Sequence, residues 1–251
     1  MKEKDIISDR LKDLADRSFS NNKYTYSSFL SEGELSDYFA IERQLQYASP
    51  KLWGGDENSD RVMVRFGDPE SLGYEEDFPI VLLEIRPLNA KFSDDFSHRD
   101  FLGALMNLGI ERNTIGDILI NEKMGYIFCK DTVSEYIKEN LTRIKHTSVM
   151  VKEAAELDEV FKPTFEEKMV QVASERVDAV VSKVYNLSRS TSTELFRAGK
   201  VFVNARECTE NAYMLKPEDV ISVRGFGKMI YRGCAGLSKK GKSNVKVSIY
   251  R

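Results

Sequence analysis

The run Ser188-Arg189-Ser190-Thr191-Ser192-Thr193-Glu194-Leu195-Phe196-Arg197-Ala198-Gly199-Lys200-Val201-Phe202-Val203-Asn204 changes its periodicity partway along. Ser188 is predicted as the N-cap of a helix, because its hydroxyl can accept from the backbone N–H groups left open in a first turn. Gly199 is predicted to end that helix, since it enters the left-handed region without a Cβ clash. Val201-Phe202-Val203 then reads as a strand and Asn204-Ala205 as a turn. Upstream, Val177, Val180, Val181 and Val184 recur at helical spacing and predict a shorter amphipathic helix, with Ser174 as its expected cap. Downstream, Lys216-Pro217-Glu218-Asp219 reads as a turn and Val220–Val223 as a second strand.

Over residues 176–225 this order resembles the RNA-binding module named after small-subunit ribosomal protein four, the S-four-type fold. Arg176 and Asp178 stand where that family opens with Arg-Leu-Asp, and Ser188-Arg189 opens its second helix. Gly199-Lys200-Val201-Phe202-Val203-Asn204 fits its Gly-x-Val-x-Val-Asn run. Two positions depart: Ala205 replaces the Gly of the usual Asn-Gly turn, and Glu218 the Gly of Gly-Asp, so two turns are weakened while the basic positions stay. The resemblance implies RNA binding around the second helix, whose N-terminus also favours a phosphate. The expected contact set is Arg176, Ser188, Arg189, Arg197, Lys200, Asn204, Arg206, Arg224 and Lys228, joined by Lys239, Lys240 and Lys242 of the basic turn Ser238–Lys242.

The chain's formal net charge of −3 conceals an asymmetry. Residues 176–251 hold 15 Lys and Arg against 6 Asp and Glu, whereas the preceding residues hold 22 against 34. A basic C-terminal module on an acidic body points that end at a polyanion, because neutralising phosphates dominates nucleic-acid affinity. No apolar run reaches membrane-spanning length and the N-terminus lacks a signal-peptide apolar core, so a cytoplasmic protein without a membrane partner is expected. Cys129, Cys208 and Cys234 are scattered and odd in number, and with only His98 and His146 no metal-ligand spacing arises; structural thiols, no metal and no cofactor are expected. A monomer is expected.

Residues 1–72 read as a mainly helical domain: residues 2–17 place Ile6, Ile7, Leu11 and Leu14 on one face, and Ser31-x-x-Glu34 predicts a capping box before Leu35, Tyr38, Phe39 and Leu45. Trp53-Gly54-Gly55 ends that part, with a strand predicted over Arg61–Phe66; Trp53 reads as a packing anchor more readily than as a base stacker. Residues 73–155 read as strand Ile80–Ile85, helix His98–Leu108, strands Ile115–Ile120 and Gly125–Cys129, helix Val133–Leu141 and strand Ile144–Val151. That βαββαβ order is the ferredoxin-like plait shared by RNA-recognition (RRM-like) domains and many unrelated proteins, so the fold class is α+β and the order alone decides no function. Tyr126 and Phe128, two apart, fall on one strand face as in the RNA-recognition signature, but Val81-Leu82-Leu83 offers no aromatic on the first strand. Base stacking and plain sheet packing both stay open there. Residues 156–168 read as a linker and 169–251 as the terminal domain.

Gly109-Ile110-Glu111-Arg112-Asn113-Thr114-Ile115-Gly116-Asp117 has two glycines that permit tight turns, with Arg112 expected at their rim. With His98-Arg99-Asp100-Phe101-Leu102-Gly103-Ala104-Leu105 and Ser238-Lys239-Lys240-Gly241-Lys242, it resembles the YlmH family of bacterial ribosome-associated RNA-binding proteins, and the layout agrees over nearly the whole chain. Asn58-Ser59-Asp60 departs from that family's usual Ala-Glu before Arg61. The resemblance implies a non-enzymatic protein on the large ribosomal subunit, contacting rRNA and tRNA in the quality control of stalled nascent chains. The alternative is an RNA-modifying enzyme of the pseudouridine synthase or methyltransferase type that uses the C-terminal domain for targeting. Residues 1–157 offer such an enzyme no Gly-rich strand-to-helix loop and no legible acid/base or nucleophile pair, and Asp94-Asp95 and Glu75-Glu76-Asp77 read as solvated loops. A pure protein scaffold would leave the basic module unexplained.

Overall fold

The computed structural model describes the backbone from Glu3 and the side chains from Ile6 through Arg251, so the helix start expected at residue 2 lies outside the described residues. The chain divides into two compact units, the first ending at Lys162 and the second spanning Pro163–Arg251.

In the first unit α1 (Glu3–Asn21) packs on α2 (Glu32–Leu45). The buried stripe of α1 is Leu11, Ala15 and Ser18, flanked by the half-buried Ile7 and Leu14, so three of the four expected positions face inward and Ile6 is exposed. Ser31 and Glu34 form the expected capping box: the Ser31 N–H donates to the Glu34 carboxylate at 2.7 Å, and the Glu34 N–H donates to Ser31 Oγ at 3.4 Å. The lobe is not purely helical, because β1 (Thr25–Tyr26), β2 (Lys51–Trp53) and β3 (Met63–Phe66) form a small sheet in the order β1-β3-β2. All four residues of β3 are buried, so its sequence lacks the alternation that marks a half-exposed strand. The single turn α3 (Pro69–Leu72) follows on the Asp68 cap.

Beyond it run β4 (Ile80–Pro87), α4 (His98–Asn107), β5 (Ile115–Asn121), β6 (Met124–Lys130), α5 (Asp131–Asn140), β7 (Arg143–Ile144) and β8 (Thr147–Glu153). The strands pair in the order β5-β6-β4-β8-β7, each pair antiparallel. One face carries Leu83, Ile85, Ile127 and Cys129 and packs against Phe101 and Leu105 of α4 and Ile137 of α5. Ile80, Leu82 and Phe128 lie on the other face, where Phe29 and Met63 of the N-terminal lobe cover them. Gly55 belongs to that cover: its φ is +103°, and a Cβ there would come within 2.3 Å of the Phe128 ring. The packed lobe explains why residues 1–72 and 73–155, expected as separate domains, form one compact unit.

The segment 156–168, expected as a linker, is largely structured. A 3-10 turn, Glu159–Phe161, sets Phe161 edge-on against Tyr126 with ring centroids 4.8 Å apart, and β9 (Phe165–Val172) belongs to the second unit. That unit continues with α6 (Val177–Val184), α7 (Arg189–Arg197), β10 (Val201–Val203), β11 (Arg206–Glu207), β12 (Val220–Val223), β13 (Gly227–Leu237) and β14 (Ser243–Tyr250). Its sheet runs β11-β10-β12-β13-β14-β9. Val177, Val180, Val181 and Val184 of α6 meet Leu195 and Phe196 of α7 over Val201, Val203, Ile221 and Val223. Each fully buried Val contributes about 1.5 kcal/mol or more by area alone. The cap position of α6 is Arg176 with no side-chain cap, not the expected Ser174. β13 had no strand signature because Gly227, Gly233 and Gly236 interrupt it and its register to β14 shifts twice, at Tyr231/Gly233 and Cys234/Leu237.

Candidate nucleic-acid interface

Helix α7 organises the basic face of the second unit. Ser188 caps it, its Oγ accepting the Thr191 N–H at 3.1 Å, and Gly199 ends it at φ +60°. Ser192, Leu195 and Phe196 turn inward, while Arg189 and Arg197 are exposed. Arg189, Arg197 and Lys200 have no carboxylate partner among the described residues. The Arg224 N–H donates to the Lys200 carbonyl at 2.9 Å, so the start of β10 and the end of β12 set these two cations side by side. The Arg224 guanidinium lies 4.7 Å above the Phe202 ring, a cation–π contact that holds its plane against the sheet. Arg206 stands on the edge strand β11, opposite Val203. Three strand ends and one helix thus present Arg189, Arg197, Lys200, Arg206 and Arg224 to solvent.

Other expected residues are engaged within the fold. Arg176 makes a two-pronged pair with Asp178, at 2.7 and 3.1 Å. Asn204 is structural: its amide donates to Asp219 at 2.8 Å, and its Oδ1 accepts the Val220 N–H at 2.9 Å. The Asn204 side chain thus closes the β10–β12 connection. The Lys228 ammonium sits 4.8 Å over the Tyr250 ring. Lys239, Lys240 and Lys242 ride the β13–β14 tip, where the Ser238 N–H donates to the Lys242 carbonyl. That tip lies at the opposite end of β13 from Arg224. Lys183 and Lys246, also exposed, were not anticipated; a cation on an outward strand or helix position carries no turn or motif signal.

In the first unit three further candidate residues are engaged within the fold. Tyr126 and Phe128 are 2% and 3% exposed and present no ring to a base. Tyr126 donates to the buried Glu84 carboxylate at 3.4 Å beneath Phe161, and Phe128 lies under Phe29 and Met63. Arg112 is not a free rim cation: it donates to the carbonyls of Ile115 at 2.6 Å and Gly116 at 3.2 Å. Burial, and secondarily Arg61, lower its pKa to about 10. Beside it, Asp117 accepts the backbone N–H groups of Asp60 at 2.6 Å and Arg61 at 3.1 Å, and burial raises its carboxyl to about 6. Arg61 donates to the carbonyls of Phe29 and Ile115, so this polar cluster ties lobe to sheet.

The cavity over the outer sheet face, about 1090 Å³, is walled by seven carboxylates, including Asp56, Asp77, Glu153 and Asp158, against Lys51, Arg65 and Lys162. Such a wall repels phosphate. Burial pushes the Cys129 thiol up to about 12, which leaves it inert as a nucleophile. Among the described residues no group of three or more His, Cys, Asp or Glu is placed to hold a metal, and no helix is long and apolar enough to cross a membrane.

Known proteins carry the same parts. Residues 74–158 match the family described as "Putative RNA-binding domain in YlmH", and residues 175–221 match the S4 domain. A relative, the ribosome-associated protein quality control protein P2 of Bacillus subtilis (strain 168), is 30% identical over 167 residues, which are 64% of this chain and 65% of that protein. A solved structure, the cell division protein ylmH from Streptococcus pneumoniae, aligns with a TM-score of 0.49 at 18% identity, covering 61% of this chain and 92% of that one. The chain thus carries, in this order, a segment that matches the YlmH RNA-binding domain and a C-terminal segment that matches the S4 domain, and it spans 65% of the length of the Bacillus relative.

Proposed function

We propose that this protein binds structured RNA on the ribosome, without catalysis, through the face of its S4 domain built on α7, β10 and β12. The observation that carries the proposal is the exposed set Arg189, Arg197 and Lys200, with no carboxylate partner among the described residues, beside a capped helix N-terminus. Phosphates are the ligand such a set suits, because guanidinium forks and open backbone N–H groups both favour them. The name of the Bacillus relative supports a place in ribosome-associated quality control, and with it a cytoplasmic location. Within that reading, large-subunit rRNA and tRNA are the targets, and the chain acts as a monomer. The strand order β8-β4-β6-β5, with α4 and α5 on one face, supports a ferredoxin-like, RRM-like plait that uses its sheet face for internal packing.

The fragment Pro163–Arg251 tests the proposal, since it is a compact unit with its own core and includes all of β9. It should fold and bind structured RNA with an affinity that falls steeply with salt as counterions are released. A folded fragment that binds no RNA at low salt would contradict it. Mass-spectrometric detection of a modified nucleoside made by the full-length protein would favour the RNA-modifying alternative.

A further inference from the structure

A second cleft of the first unit lies on the helix side of its sheet, between the outer surface of α4 and the α5–β7 connection. It encloses about 520 Å³, and its charged lining is Arg99, Arg143, Lys145 and Asp100. Asp100 is already occupied: it closes the α4 capping box with Ser97 and pairs with Lys145 at 3.0 Å. Arg99 and Arg143, one from each wall, are exposed and have no carboxylate partner among the described residues. Asn107 and Asn140 add neutral polar groups to the lining. In a unit with more acidic than basic residues, such a cation pair stands out from its surroundings.

Gly103 supplies an independent observation. It sits inside α4 and lines this cleft, where a Gly costs helix stability relative to Ala. Its backbone is ordinary, and a Cβ built on it would meet nothing within 4 Å. Neither a left-handed turn nor packing within the fold therefore requires Gly at this position. What a missing side chain still provides is close approach of something outside the chain to the helix backbone.

We infer that this cleft is a second RNA site, which takes the phosphodiester backbone between Arg99 and Arg143, with Gly103 as the bare floor that lets it approach. The inference rests on the RNA-binding reading above and moves the RNA surface of the YlmH domain from the sheet, whose aromatics are buried beneath an acidic groove, to the helix side. Phosphate contacts position without reading bases, so the cleft adds affinity and register but no sequence preference.

The test uses the full-length protein with unfractionated tRNA and, separately, fragmented rRNA. The Arg99→Glu/Arg143→Glu double variant should bind about tenfold or more weakly, with a salt slope shallower by about 2, one for each lost phosphate contact. Gly103→Ala should raise the melting temperature, because Ala favours helix and its Cβ meets nothing within 4 Å, and yet weaken RNA binding several-fold. A residue with only a structural role would not separate those two readouts. Both variants binding like wild type while Arg189→Glu abolishes binding would overturn the second site and leave the S4 reading intact. If Arg189→Glu is silent and the cleft variants lose binding, the S4 reading fails and the cleft stands. Capture of a fluorescent polyglutamate peptide by the cleft, with RNA binding unchanged in the variants, would assign it to an acidic protein segment and overturn the inference.

Discussion

The two larger sheets of this protein each carry a face that the sequence directs at RNA, and they meet opposite fates. In the S4 unit the cations at the ends of β10 and β12 stay exposed, because the valines and Phe196 that anchor those strands pack on the other side. In the YlmH unit the aromatic pair Tyr126 and Phe128 is sealed by the N-terminal lobe and by Phe161. A charged side chain tends to declare its exposure, since burying it unpaired is prohibitive, whereas an aromatic on a strand fits a stacking platform and a core equally well. What decides between the two is the covering element, and that is not written in the strand.

The largest expected effect sharpens this contrast from its buried side. Phe128→Ala should cost about 3–5 kcal/mol of stability, as deletion of a buried ring does. Tyr126→Ala should cost a similar amount and also remove one hydrogen bond from the buried Glu84 carboxylate, which keeps its ion pairs with Arg86 and Lys152. Denaturant melts beside RNA titrations check both: stability should fall while the affinity of the remaining folded protein is unchanged. A Tyr126→Ala protein that melts like wild type and loses RNA would restore the stacking reading.

The Asp117 cluster, which ties lobe to sheet, gives a pH-dependent effect of intermediate size. Its folded pKa, about 6, lies above the ordinary 3.8, so the stability linked to its proton is fully present below about pH 4 and lost as pH rises through 6. The melting temperature of Asp117→Asn relative to wild type should therefore climb between pH 4 and pH 7. A flat difference over that window would show that the carboxyl is not held up by burial.

The smallest effects sit in the S4 turns. Asn204 and Ala205 both have positive φ, +50° and +59°, as the two-residue β10–β11 hairpin requires, and Ala carries a Cβ penalty there. Ala205→Gly should stabilise the unit by about 1 kcal/mol. Glu218, at φ +71°, should gain less on replacement by Gly, because its ion pair with Arg232 is lost. Thermal melts of the two variants should rank them in that order.

These particulars show what a sequence displays. Ser188, Gly199 and the α6 valines were legible because caps and helical spacing are local signals, and even the misfit residues Ala205 and Glu218 were found at the turns they strain. β13, broken by glycines and bulged twice, showed no alternation, whereas β3 was legible within the strand expected over Arg61–Phe66 although all four of its residues are buried. Arg112 looked like a rim cation until the carbonyls of Ile115 and Gly116 came within reach, and the bond from Asn204 to Asp219 was not visible in the sequence. For Asn204 the missing information was a partner distant in sequence, and for Arg112 it was the local backbone path that aims the carbonyls of Ile115 and Gly116 at the guanidinium.

Whether the α7 face of the S4 unit meets RNA is tested most directly by the affinity of full-length Arg189→Glu for structured RNA across a salt series, beside its melting curve. Arg189 stands one residue past the Ser188 cap with no carboxylate partner among the described residues. The account predicts an unchanged melt, an affinity lower by roughly tenfold at low salt, and a salt slope reduced by about 1. A variant that melts like wild type and binds RNA with the same affinity and slope would contradict it.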